Sequence, residues 1–560
     1  MPKTTGAKLL AETIKGYGLS HVFYVPNVVS KGLVAMEDLD IRRVVAHSEK
    51  AAAYMADGYA RARLGPAICM AQPIGASNLA SGLRDAYMAR SPVIAISGGP
   101  AVPSRYRHAY QEVEDFEQFT SVTKANFNVD HPSRLADLLR QAFRTATSGT
   151  PGPVHLRFQG RGADVPLGDV DAEVIVEEQF TRLPPFRPEP EPQRVSEAAA
   201  LLAKAAKPLI IAGGGVVASR AQREVVELAE KLQIPVVTSL NGKGVILDDH
   251  PLSVGVSGTY SRECANRAVA EAGLIFFIGC PAGGMVTSNW TIIRPGTEFM
   301  QLDIEPTELG RNYPNKVALL GDAKVTLRKL IDAVKPTEGA TKAWVQHVQQ
   351  LVQAWRAQAD VKRNSDVAPI DPARICREIT GVLPANGVVV SDTGHAGMWT
   401  SQMIDLKQPG QRYIRCAGSL GWGLPGAIGV KCALPDRPVL CFTGDGGAYY
   451  HLTELETALR YGINLVVLVN NNAALSQEYP SLNRNYGGKP YGHSDELWRF
   501  REDFNFAKVS EAMGCAAFRV EKPADIKPAL ERAFAVGDKP VVVEVRSDVN
   551  LMAPTAWTPQ

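Results

Sequence analysis

Paired cysteines are absent from this chain. Its eight cysteines, Cys69, Cys264, Cys280, Cys376, Cys416, Cys432, Cys441 and Cys515, are scattered without one CxxC spacing. That excludes a disulfide scaffold or a thiolate zinc site as the organising device and implies reduced thiols in a reducing compartment. Also lacking is any apolar run of bilayer-spanning length; "LIIAGGGVV" and "LIFFIG" are strand-sized. Glu12 and Lys15 interrupt the amphipathic N-terminal "MPKTTGAKLLAETIKGYG", which therefore lacks the apolar centre of a secretory signal. Charge of one sign is missing too. Against 60 Lys and Arg stand 58 Asp and Glu, a formal net charge of +2, with no basic block. Neither nucleic acid nor a membrane is an expected partner, and the expected location is cytoplasmic.

What the chain does have is length and alternation. At 560 residues it exceeds the size at which one hydrophobic core stops growing, so several domains are expected. Short β-rich apolar runs alternate with helical patterns, which implies parallel sheets covered by helices. In the first segment "HVFYV", "RRVVA", "AICMA", "VIAISGG" and "GPVHLRF" read as strands, and "EKAAAYMADGYARAR" and "GASNLASGLRDAYMAR" as helices. A Pro- and Glu-rich stretch containing "LPPFRPEPEPQ" reads as a linker. The second segment holds strands "PLIIAGGG", "IPVVTS", "LIFFIG" and "EFMQLDIE" with the helix "QREVVELAEKL". After the polar helical "AWVQHVQQLVQAWRAQ", a third segment carries "GVVVSD", "PVLCFTGDGG", "NLVVLVNNN" and "PVVVEV". The expected fold is α/β, three doubly wound parallel-sheet domains at 1–165, 194–336 and 371–560, with a linker at 166–193 and a connector at 337–370.

Chemistry concentrates in "CFTGDGGAYYHLTELETALRYGINLVVLVNNN", Cys441 to Asn472. "RPVLCFTG" reads as a strand ending at Asp445. One helix follows, with Leu452, Leu455, Ala458 and Leu459 on a single face and Gly462 as its cap; "LVVLV" is the next parallel strand. Such a crossover returns both strand ends to one side of the sheet, so Asp445 and the asparagines can converge. A carboxylate and an amide carbonyl, completed by phosphate oxygens and water, suit Mg²⁺. Gly446 and Gly447 let the backbone approach an anion beside a helix N-terminus. A Gly-Asp-Gly alone is only a turn; the asparagines one helix and one strand later favour the ligand reading.

This stretch resembles the signature of thiamine-diphosphate-dependent enzymes. "LNGKGVILDDHPLSVGVSGTYSRECANRAV", "MQLDIEPTELGRNYP" and "GDAK" resemble the acetolactate-synthase-like branch of that family. The resemblance implies the domain order pyrimidine-binding, central, diphosphate-binding. It also implies Asp445, Asn472 and the carbonyl of Ala474 as Mg²⁺ ligands, with Asn471 as the other signature residue and Asn470 unexplained. Glu49, in "VVAHSEKAAAYMADGYARAR", matches the glutamate that activates the cofactor; on its own it is a helix-start glutamate favoured by the dipole. Pro73-Ile74-Gly75 stands where the family has Gly-Pro-Gly. In "AGSLGWGLPGAIGV", Leu420 matches the wedge that bends the cofactor and Gly418 the carbonyl that receives its amino group; a core leucine is the plain alternative. In "SDTGHAGMW", Gly394 and His395 would lie near the diphosphate, His395 being otherwise a hydrogen-bonded loop residue.

On the substrate side Gln111, in "HAYQEVED", matches a glutamine that approaches the substrate in synthase-like members; His108 is near it, without a second adjacent histidine. Glu478, in "NNAALSQE", occupies the place of a proton-donating acid of simple decarboxylases, with a solvated residue as the alternative. The run Gln477-Glu478-Tyr479-Pro480 departs from the biosynthetic synthases. The expected reaction is decarboxylation of a 2-oxo acid followed by carboligation. A non-oxidative decarboxylase or C–C lyase is the alternative, and a non-catalytic homologue is disfavoured by intact Glu49, Asp445 and Asn472. FAD in the central domain suits Gly213-Gly214-Gly215, Gly255 to Thr259 and Asp303, but Cys280-Pro281-Ala282-Gly283-Gly284 replaces an arginine-bearing segment. FAD, another adenine nucleotide and no ligand all stay open there. The resemblance further implies a homodimer or homotetramer with active sites between subunits.

Overall fold

The computed structural model describes residues 4–336, 339 and 341–559. Three six-stranded sheets organise the chain, and every pairing within them is parallel. Across the first sheet lie Arg42–Val45, His21–Tyr24, Ala67–Ala71, Val93–Gly99, Val154–Gln159 and Ala125–Val129. The last sheet repeats that connectivity with Arg412–Arg415, Val388–Ser391, Val439–Gly444, Val466–Asn471, Val541–Arg546 and Ala516–Val520. Between them in sequence, the central sheet runs Ser253–Val256, Val236–Thr238, Pro208–Ala212, Leu274–Ile278, Glu298–Asp303 and Val317–Leu320. Its order, 3-2-1-4-5-6 in chain order, is the doubly wound arrangement with a switch point between the first and fourth strands.

Inner strands such as Ala67–Ala71 and Leu274–Ile278 are buried at every residue and read as unbroken apolar runs. Five strands escape the sequence pattern: Ala125–Val129, Ser253–Val256, Val317–Leu320, Arg412–Arg415 and Ala516–Val520. All five are sheet edges. Two of them, "ANFNV" and "AAFRV", are only partly buried and interleave polar residues accordingly.

One expectation needs correction. The single helix expected after Gly444 is two, Asp445–His451 and Glu454–Arg460. Leu452 and Thr453 between them keep right-handed helical dihedrals, so only the hydrogen-bond ladder is interrupted. There His451 Nδ1 pairs with the Gly421 carbonyl at 2.9 Å, and the second helix delivers the buried Glu454 carboxylate to the His47 N–H at 3.0 Å. Within the expected linker, Asp169–Val170 pairs antiparallel with Thr4–Thr5, and Phe180 is buried. Within the connector, residues 337, 338 and 340 lie outside the described residues. Lys342–Arg363 is a 22-residue helix that buries Trp344, Val345, Val348 and Trp355, so its apolar stripe joins the core.

The N- and C-terminal domains meet backbone to backbone where the helix Glu49–Arg63 crosses Gly423–Ala433. A Cβ on Gly58 would stand 2.1 Å from the Gly426 carbonyl oxygen, and one on Gly429 1.9 Å from that of Met55. Among the described residues no helix is long and apolar enough to cross a membrane.

Candidate active site

Gly444 and Asn470 are register partners on adjacent parallel strands, so the segments that follow leave the sheet at the same edge. Asp445 is buried there. Its Oδ1 accepts the N–H of Gly446 at 2.7 Å and its Oδ2 that of Ala474 at 3.0 Å. Burial pushes its carboxyl up to about 6, against the pull of the N–H groups of Gly446, Ala474, Ala473 and Asn472. Asn472 donates from Nδ2 to Ser476 Oγ at 3.0 Å, and that hydroxyl lies 2.9 Å from His395 Nδ1. With its nitrogen so committed, Oδ1 of Asn472 is the atom available to a cation. Burial lowers His395 to about 4, so the imidazole is neutral near pH 7.

The other two asparagines separate clearly. Asn471 is a brace: its Nδ2 donates to Glu544 Oε1 at 2.7 Å, and its Oδ1 accepts the Ala473 N–H at 3.1 Å. Glu544 is itself fully buried and also accepts the Ala507 N–H at 3.0 Å. Asn470 remains unexplained, its Oδ1 buried without a partner.

Among the described residues no group of three His, Cys, Asp or Glu could hold a metal alone. A cation at Asp445 would draw on one carboxylate, the Asn472 amide and the Ala474 carbonyl, and would need further oxygens from a ligand and water. That donor set fits Mg²⁺ carried by a diphosphate. Gly394 opens the neighbouring helix His395–Met403 at φ 66° and ψ −146°, backbone that only glycine adopts readily.

Sequence reasoning missed the carboxylate that ties this edge together. Asp392 accepts from the N–H groups of Thr393 at 2.8 Å, Gly421 at 3.1 Å and Gly423 at 3.0 Å, and from Thr443 Oγ1 at 3.2 Å. It thereby links the ends of three adjacent strands, and burial raises its carboxyl to about 6. The signal was present as an acid directly after "VVVS". Ser476 was missed as well, having no signal beyond its place four residues after Asn472.

Glu49 is built into a separate face. Ser48 caps its helix by accepting the Ala51 N–H at 3.1 Å, which puts Glu49 in the first turn. Asn78 Nδ2 donates to Glu49 Oε2 at 3.1 Å, and a Cβ on Gly75 would lie 2.2 Å from Oε1. The glycine of the altered Pro-Ile-Gly run is thus the floor under Glu49. Its neighbour Lys50 lines a cleft of about 440 Å³ with Tyr54, Arg84, Ser419, Leu420 and Tyr450. Leu420 is half-buried there and Gly418 exposed.

Gln111 sits in a loop at φ 62° with its Oε1 buried and unpartnered. Glu478 is exposed at the end of the short helix Ser476–Glu478. The structure therefore joins Asp445, Asn472, Ala474 and His395 in one cluster. Among the described residues, no hydrogen bond or ion pair connects Glu49, Gln111 or Glu478 to it.

A larger cavity, about 1250 Å³, opens at the carboxyl ends of the central strands, where the strand order reverses. Gly214, Gly215 and Asp303 line it, so two of the three elements expected of the nucleotide site face one space, together with Cys280 and Gly283 of the segment that replaces the arginine-bearing one; Gly255 to Thr259 do not line it. Burial raises the Asp303 carboxyl to about 6. Gly213 instead serves packing: a Cβ there would lie 2.1 Å from the Gly279 carbonyl oxygen.

Three family models match the chain in the order of its sheets. They are described as thiamine pyrophosphate enzyme N-terminal TPP binding domain, over residues 4–119, central domain, over 195–330, and C-terminal TPP binding domain, over 392–545. The chain belongs to the thiamine pyrophosphate enzyme family. Glu49 and Gln111 lie in the first of these domains, Asp392, Asp445 and Asn472 in the last. Similar proteins include the probable acetolactate synthase large subunit of Methanocaldococcus jannaschii, 32% identical over 97% of this chain and 92% of that one. The acetolactate synthase large subunits of Corynebacterium glutamicum and Haemophilus influenzae are 28% and 27% identical, covering 97% and 98% of this chain and 86% and 95% of theirs. Within this family the protein is a thiamine-diphosphate-dependent enzyme, with cofactor-binding domains at both ends of the chain.

Proposed function

We propose that this enzyme, with thiamine diphosphate and Mg²⁺, decarboxylates a 2-oxo acid and joins the remaining unit to a second carbonyl compound, a reading supported by its similarity to proteins named acetolactate synthase. The observation that carries this reading is the Asp445–Ala474 contact, which holds the carboxylate against the loop that carries the Asn472 amide and the Ala474 carbonyl. When bound, the cofactor supplies a carbon nucleophile and an electron sink. Asp445, Asn472 Oδ1 and the Ala474 carbonyl would hold the ion against the diphosphate, beside neutral His395, Gly394, Gly446 and Gly447. Glu49 would hold a proton at the pyrimidine ring, Gly418 would accept from its amino group, and Leu420 would support its bent shape. Gln111 would face the substrate. Because Glu49 stands apart from the Asp445 cluster within one chain, a homodimer or homotetramer is the assembly that completes the site.

A second reading rests on Glu478. Its carboxyl is exposed and close in sequence to the metal loop, and a proton donor there favours release of an aldehyde by a non-oxidative decarboxylase or C–C lyase. In the central cavity we place FAD or another adenine nucleotide, supported by the lining cations Arg61, Arg90, Arg220, Lys243 and Arg412. The cytoplasm suits eight buried, unpaired thiols.

The test is to supply Mg²⁺, thiamine diphosphate and a panel of 2-oxo acids, with and without aldehyde, 2-oxo acid and acyl-CoA acceptors, and to separate aldehydes from hydroxyketones. A ligated product is expected. Aldehyde alone with every acceptor sinks carboligation and favours the second reading. A visible absorption spectrum decides the flavin.

A further inference from the structure

The segment 417–423 carries Gly418 and Leu420, and its shape is fixed largely from outside its own domain. Asp85, fully buried on the helix Pro73–Ala89 of the N-terminal domain, accepts three consecutive backbone N–H groups. These are Ala417 at 2.7 Å, Gly418 at 3.1 Å and Ser419 at 2.9 Å. A second buried carboxylate of that domain, Asp57, accepts Trp422 Nε1 at 2.9 Å. From the loop's own domain, Asp392 takes the N–H groups of Gly421 and Gly423. Leu420 is thus suspended between two gripped flanks.

Three successive N–H groups converging on one anion form a nest, and bonds to a carboxylate are charge-assisted. Their direction matters more than their strength. In a planar trans peptide the carbonyl of one residue points opposite to the N–H of the next. Anchoring the Ser419 N–H on Asp85 therefore aims the Gly418 carbonyl away from the Asp85 carboxylate, and Gly418 is exposed. We propose that Asp85 is a positioning residue for the cofactor, aiming the Gly418 carbonyl and setting Leu420 from the N-terminal domain of the same chain. This rests on the reading above that the loop bends thiamine diphosphate. The diphosphate anchor at Asp445 shares no hydrogen bond with Asp85, so the two grips are separable.

The experiment compares Asp85→Asn with the wild-type full chain in calorimetric titrations of the cofactor-free protein. One titrant is Mg²⁺ with thiamine diphosphate, the other Mg²⁺ with inorganic pyrophosphate. Thiamine diphosphate affinity is expected to fall by about tenfold or more, the scale of losing an outer positioning contact, while pyrophosphate affinity stays within about twofold. Unchanged affinity for both probes, or equal loss of both, overturns the proposal, the latter by showing general collapse. Leu420→Ala separates the two levels: if it too binds thiamine diphosphate normally, the loop reading itself fails. Should Asp85→Asn not fold, amide exchange of Ala417, Gly418 and Ser419 in the cofactor-free wild type decides. Slow exchange is expected; fast exchange that slows only with thiamine diphosphate overturns the proposal.

Discussion

Asp445 Oδ2 and the backbone N–H of Ala474 meet at 3.0 Å although 29 residues separate them in sequence. One carboxylate thus shapes the loop whose carbonyl and amide are proposed above to share an ion with it. Asp445→Asn keeps the volume but replaces an acceptor by a donor that must face either Gly446 N–H or Ala474 N–H. Losing a hydrogen bond to a charged group costs about 1.5–3 kcal/mol, so thiamine diphosphate affinity at fixed Mg²⁺ is expected to fall on the order of tenfold to a hundredfold. Calorimetry reads this directly; an unchanged affinity would count against the ion site.

Gly75 makes an indirect prediction about Glu49. A methyl group at that position would stand 2.2 Å from Glu49 Oε1, so the carboxylate must move. Gly75→Ala should therefore imitate Glu49→Gln: turnover falls by about a hundredfold or more, the scale of a lost proton-transfer group, while thiamine diphosphate still binds. Parallel measurement of kcat and cofactor affinity in both variants checks it. Full turnover in Gly75→Ala would show that Glu49 tolerates displacement and is not the activating acid.

At the crossing of the Glu49–Arg63 and Gly423–Ala433 helices there is no soft neighbour to give way. A Cβ at Gly58 would meet backbone, 2.1 Å from the Gly426 oxygen. Gly58→Ala is expected to destabilise the chain by about 1–3 kcal/mol through overpacking, despite the better helix propensity of alanine. Chemical denaturation should show a lower midpoint. A midpoint at or above that of the wild type would mean that the two domains separate at little cost.

The inner strands and the Asp445–Asn472 relationship were legible because each is local or nearly so. A buried strand announces itself as an apolar run, and a crossover fixes the distance between two strand ends. Arg412–Arg415 was not, since an arginine at each end leaves no apolar run to read although three of its four residues are buried. Asp85 and Asp57 were invisible for another reason. Each is an acid on a helix that carries other polar residues, and what it binds is a loop more than 300 residues away. Glu544 and Ser476 likewise acquire their roles only when a second segment arrives. Sequence periodicity marks the residues that bury; it does not name the partner of a buried charge.

Asp115 carries the pH prediction. It is fully buried, and neither carboxylate oxygen finds a hydrogen-bond partner. Burial raises its carboxyl from 3.8 to about 6, although Arg157 pulls the other way. Between those values the folded chain keeps a proton that the unfolded chain has released. Stability therefore falls as pH rises through the window from about 4 to about 6, and this contribution is flat above it. Asp57, Asp303 and Asp392, also raised to about 6, act in the same direction. Asp115→Asn substitutes a neutral group of the same shape. Its melting temperature should exceed that of the wild type above pH 6, with the difference shrinking as pH falls towards 4. Thermal scans of both proteins across that range give the slope. Equal melting temperatures at every pH would mean that the carboxylate is not paying for its burial.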